Sequence, residues 1–75
     1  MNKLQSAQDV RTCISVFDEM GLRPHWSGLC VWIENQPTDA QQVELVQVFG
    51  ARWSEKRGQW YLRADESVRD EMKRG

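Results

Sequence analysis

Apolar positions along this 75-residue chain keep two different periods, and the changes of period mark out its elements. Val10, Cys13, Ile14 and Phe17 recur at i, i+3, i+4 and i+7, which puts them on one face of an amphipathic helix. Ser6 with Asp9 three residues on forms an acidic variant of a helix-start box. Gly21, then Leu22 folding back onto Phe17, then Pro24 supply the stop. The first helix is expected over residues 7 to 20. In LCVWIENQ, between Gly28 and Pro37, the period drops to two: Leu29, Val31 and Ile33 alternate with Cys30, Trp32 and Glu34. This is a strand apolar on nearly both faces, expected at the centre of a sheet or covered by helices on each side.

Thr38 and Gln41 have the spacing of a capping box, and Val43, Val46 and Phe49 give a second helix a buried edge that Leu45 and Val48 widen, with Gly50 ending it. Residues 51–54 then run extended, Glu55 to Gly58 turns, and Gln59 to Arg63 returns as a β-hairpin. By alternation Ala51, Trp53, Trp60 and Leu62 share one face, while Arg52, Ser54, Gln59, Tyr61 and Arg63 share the other. Asp65 or Ser67 opens a short last helix containing Val68 and Met72, with acids first and Lys73 and Arg74 last, as the helix dipole favours. The order helix, strand, helix, strand, strand, helix predicts one α+β domain over residues 1 to 75, with a small, mainly antiparallel three-stranded sheet packed against helices.

A chain this short has little apolar surface to offset its ordering entropy, so nearly every large apolar side chain is needed for folding. Four tryptophans are therefore first of all core material. Trp53 and Trp60 are expected inside. Trp26, after Pro24 and His25 in a segment that reads as a loop, is either a lid over the core or a partly exposed contact. Trp32 lies either beneath a helix or on an open face beside Tyr61.

Composition excludes more than it selects. With 40% hydrophobic and 28% charged residues the chain is globular, and no apolar run is long enough to cross a bilayer. Met1 is followed by a sequence without the charged and apolar regions of a secretory leader, so a cytoplasmic location is expected. Cys13 and Cys30 fit free, reduced, buried thiols, and no Cys/His cluster suggests a metal or other cofactor. The only histidine, His25, has no partner with which to build a triad or a Cys–His pair, and phosphate-loop and dinucleotide fingerprints are missing, so catalysis is not expected.

Net charge is −1 overall, but unevenly spread. Residues 1–50 carry three Lys/Arg against six Asp/Glu, residues 51–75 seven against five, and residues 52–63 four against one. Arg52 and Arg63 are expected side by side on the hairpin face that holds Tyr61, with Lys56 and Arg57 in the turn. Cations interleaved with an aromatic ring are what phosphate contact plus base stacking requires, so Arg52, Lys56, Arg57, Tyr61 and Arg63 form a candidate nucleic-acid surface. A charged turn also solubilises a hairpin and protects its edge, which is the blander account.

The stretch AQQVELVQVFGARWSEKRGQWYL, Ala40 to Leu62, resembles a short uncharacterised domain of plasmid and phage proteins, among them plasmid-borne primases and conjugation-associated proteins. Its hallmark is a helix ending in Leu-Gly-Ala-Arg-Trp, a charged turn, and Trp-Tyr, matched here by Gly50, Ala51, Arg52, Trp53, Lys56, Trp60 and Tyr61. The family's helix lysines are replaced by Val43, Glu44 and Gln47, and its Val-Pro-aromatic segment by residues 31–37. The resemblance implies a binding module of a mobile genetic element that contacts nucleic acid. The added flanking helices imply a second kind of product of such elements: a regulator or inhibitor that binds a host or phage protein, such as a defence complex. In that case Trp26, Trp32, His25, Glu34 and Glu44 supply the aromatic and acidic contacts. A second copy of the chain is a further partner the sequence admits; a membrane is not.

Overall fold

The computed structural model describes residues 3–74, Arg74 by its backbone alone. Its elements run α1 (Ala7–Glu19), β1 (Pro24–Ser27), β2 (Cys30–Ile33), α2 (Asp39–Glu44) continuing into a π-helical turn (Leu45–Phe49), β3 (Arg52–Ser54), β4 (Gln59–Arg63) and α3 (Ser67–Arg74). The fold is α+β. Its sheet has four strands rather than three, all antiparallel, in the order β1-β2-β4-β3.

The extra strand is β1, which occupies the segment expected to be a loop. Ser27 pairs with Cys30, leaving Gly28 and Leu29 as a two-residue turn with both φ angles positive, 55° and 66°. That is the hairpin turn whose twist matches the strands it joins. Glycine takes the first position at no cost. Leu29 takes the second against its steric preference, held by a side chain that is buried. The central strand expected from Leu29 to Glu34 is thereby trimmed to Cys30–Ile33, flanked by β1 and β4.

Local signals place the helices. The Asp9 N–H donates to Ser6 Oγ at 3.1 Å to start α1. At its other end the Leu22 N–H donates to the Phe17 carbonyl across Gly21, whose φ is +83°. Both capping-box bonds of α2 are made, Gln41 N–H to Thr38 Oγ1 and Thr38 N–H to Gln41 Oε1. Asp65 Oδ2 accepts from the Ser67 N–H and hydroxyl ahead of α3.

The buried edge of the second helix differs from expectation. Leu45 is fully buried and Phe49 half-buried, whereas Val43, Val46 and Val48 are 54%, 48% and 56% exposed. Widening of the last turn to π geometry shifts the register by which apolar residues meet the core, and an i, i+3 count from Val43 misses that shift. Phe49 meets Phe17 edge-on at 5.0 Å, and Gln41 Nε2 donates to the Met20 carbonyl at 2.7 Å, so the second helix is locked to the end of α1.

Strand partners lie on one side of an antiparallel sheet, so the pairings sort the faces. Val31, Ile33 and Leu62 face the helices and join Val10, Phe17, Leu22, Leu45 and Val68 in the core. Trp26 and Trp60 pack partly buried against it. Helices cover this face, with α1 against β1, β2 and α3; of the two arrangements expected for the strand at residues 29–34, the central place in the sheet is the one found.

Candidate functional site

The uncovered face carries, in one row across all four strands, His25, Trp32, Tyr61 and Arg52. Beside it runs a second row of Ser27, Cys30 and Arg63. Tyr61 and Trp32 sit on the two central strands with ring centroids 4.9 Å apart and planes tilted by 34°. The Trp32 Nε1–H donates to the Ser27 carbonyl at 3.1 Å, which anchors the indole to β1.

Around this pair the chain gathers cations. The Ser54 hydroxyl accepts from the Arg57 N–H and the Ser54 carbonyl from the Gly58 N–H, folding the turn so that the Arg57 guanidinium carbon stands 3.8 Å from the centroid of the Trp32 ring. Arg52, Arg63, Tyr61 and Lys3 line a shallow concavity of about 390 Å³ on the same face. Arg52 lies directly opposite Tyr61, and Arg63 is the neighbour diagonal to it, so the expected side-by-side arginine pair is instead an arginine–tyrosine–arginine cluster. Lys56 is exposed in the turn.

Lys3 belongs to this site without any sign in the sequence. It is placed by a parallel bridge between Leu4 and Ala64: the Leu4 N–H donates to the Arg63 carbonyl and the Asp65 N–H to the Leu4 carbonyl. Its ammonium lies 3.9 Å from Asp65 Oδ1, an exposed pair of little energetic weight. Ser67 first, with Lys3 a lesser cause, holds the Asp65 carboxyl below its usual range.

Cys30 lies under this face as a free thiol. Burial raises its pKa, while the charges of Arg63 and Arg57 pull it back. Cys13, free and buried beneath α1, is pushed by burial from 9.0 up to about 12. Gln59 Oε1 is buried without a hydrogen-bond partner, which costs about 1–3 kcal/mol in this arrangement. Among the described residues no group of three or more His, Cys, Asp or Glu could hold a metal ion, and no helix is long and apolar enough to cross a membrane.

Of the five residues named from the sequence for nucleic acid, Arg52, Tyr61 and Arg63 lie on one face and Arg57 is brought back over its Trp32, while Lys56 stays in the turn. The five named for a protein partner are divided. His25 and Trp32 join the open face, and Trp26 packs on the helix side beside Leu29 and Met72 as a partial lid. Glu34 follows β2 exposed and Glu44 is exposed on α2. The tryptophan pair of the hairpin behaves unequally. Trp60 is packed, while Trp53, edge-to-face with it at 5.5 Å, remains 43% exposed because β3 is the sheet's edge. With Trp60, residues Gln42, Val43, Val46 and Gln47 line an apolar groove near that edge, which sequence periodicity had hidden by turning the valines inward. No family profile, no curated protein and no solved structure matches this chain.

Proposed function

We propose that the chain is a small non-enzymatic binding module that contacts nucleic acid through the open face of its sheet, Arg52, Lys56, Arg57 and Arg63 meeting phosphates and Tyr61 with Trp32 stacking on bases. The resemblance of residues 40–62 supports assigning it to a phage or plasmid. The observation that carries the binding reading is the Trp32–Tyr61 pair on the two central strands with arginines at its margins. The turn also brings the exposed Arg57 guanidinium carbon to 3.8 Å from the Trp32 ring centroid, which puts a cation beside the ring pair. Half-buried rings held in place by the sheet stack on a base with little further ordering cost.

With four phosphates neutralised, log affinity falls against log salt with a slope of about −3 on a single strand. Reversing two charges, Arg57→Glu with Arg63→Glu, lowers affinity by about tenfold or more and roughly halves the slope. Fluorescence anisotropy with labelled oligonucleotides at low and moderate salt tests this. Absence of binding in every buffer would end the proposal, and a double variant that binds like the parent would remove the assigned surface.

A second reading has its own observation. Val43, Val46 and Trp53 leave apolar area exposed on the helix side near the sheet edge, the kind of surface that takes part in protein contacts. A regulator or inhibitor of a host or defence complex would use that side, and it would form a stable protein complex with no shift of nucleic acid.

A further inference from the structure

We propose that the strand bound is single-stranded, and that its bases enter by displacing Arg57 from the Trp32 ring. The inference rests on the nucleic-acid reading above and names both the substrate class and the step that admits it.

Duplex bases have their π faces occupied by one another, so an aromatic side chain finds no free base face along a duplex, whereas unpaired bases offer theirs. Trp32 and Tyr61 stand on the open face of the sheet as half-buried rings 4.9 Å apart, with the indole tied down through Nε1 to Ser27. Charge points the same way. A protein that grips duplex by phosphates alone needs many cations, whereas this chain carries net −1 and gathers Lys3, Arg52, Arg57 and Arg63 at one side. Stacking has to supply much of the affinity.

In the free protein the guanidinium of Arg57 already occupies a face of that ring. A base and the guanidinium compete for it. Arg57 sits in a four-residue turn with an exposed side chain, so it can leave the ring without disturbing the strands, and once off it is free to meet a phosphate of the entering strand. An exposed cation–π contact is weak, equivalent to about a two- to fivefold penalty on base entry. The contact therefore tunes stacking rather than blocking it.

The test compares four labelled oligomers of about twelve nucleotides: oligothymidylate, oligouridylate, a thymidylate-length abasic strand with the same phosphates and no bases, and a duplex. The wild-type protein binds the better of the first two about tenfold or more tightly than the abasic strand or the duplex. Whichever of the two is tighter identifies DNA or RNA as the source. Trp32→Leu, checked for folding by circular dichroism, loses that margin while keeping its abasic affinity. Arg57→Ala lowers the salt slope by about 0.7 and raises the ratio of thymidylate to abasic affinity about two- to fivefold. Duplex or abasic strand bound as tightly as a base-bearing strand, or a ratio that falls in Arg57→Ala, overturns this proposal and leaves the broader nucleic-acid reading standing. Failure of all four oligomers to bind removes both.

Discussion

Cys13 shows how burial sets chemistry in this fold. Its thiol lies in the core beneath α1, where desolvation of the thiolate lifts the pKa from 9.0 to about 12. The unfolded chain ionises first, so the stability from keeping this thiol neutral is complete below pH 9.0 and drains as pH rises toward about 12, by up to about 1.4 kcal/mol per pH unit. Urea titrations from pH 8 upward should show a steeper decline for the wild type than for Cys13→Ala, whatever the variant's stability at neutral pH. Equal slopes would mean that the thiol is reached by water. Cys30 is raised in the same direction, but the neighbouring arginines offset part of its desolvation. The two cysteines thus differ because one lies among apolar side chains and the other beneath a cationic face, a distinction that their spacing in the chain does not contain.

At the level of elements, the second helix is the least self-sufficient piece. Six α-helical residues and a π turn are too short to hold alone, so its ends matter. Thr38→Ala removes the acceptor for the Gln41 N–H and should cost about 1 kcal/mol. Gln41→Ala should cost more, because the side-chain carboxamide accepts from the Thr38 N–H through Oε1 and donates from Nε2 to the Met20 carbonyl, tying the helix to α1. Chemical denaturation of both variants checks the order, and a Gln41 effect no larger than that of Thr38 would mean the tie to α1 contributes nothing. Such caps, the closing glycines and the hairpin of residues 52–63 were legible because each is a local pattern whose chemistry lies within a few residues. Two features were not. β1 is joined to β2 by a turn whose second residue is Leu29, which carries no turn signature, and Pro24 with Gly28 makes PHWS look like a loop. The facing of the second helix was lost because Val43, Leu45, Val46, Val48 and Phe49 are apolar almost all round, so only packing against α1 selects Leu45 and Phe49.

As a whole the molecule has two unlike sides. Helices seal one face of the sheet, except where the β3 edge leaves Trp53 and two valines of α2 and its π turn beside open solvent. The other face holds the arginines and the stacked rings. Alternation along β4 predicted this division for the hairpin, but placing Trp32 and His25 on the same side required the pairing of β1 and β2, and Lys3 required the bridge of Leu4 to Ala64. The two sides make opposite claims about the partner, and one experiment separates them. Amide and indole N–H resonances of the isotope-labelled protein, followed during titration with a short thymidylate strand, report contact residue by residue, with the four indole signals as internal markers. Shifts are expected at the Trp32 indole and the backbone of Arg52, Arg57, Tyr61 and Arg63, with the Trp53 indole and the backbone of Val43 and Val46 unmoved; shifts centred on Trp53 and the valines, or none at all, would contradict the account.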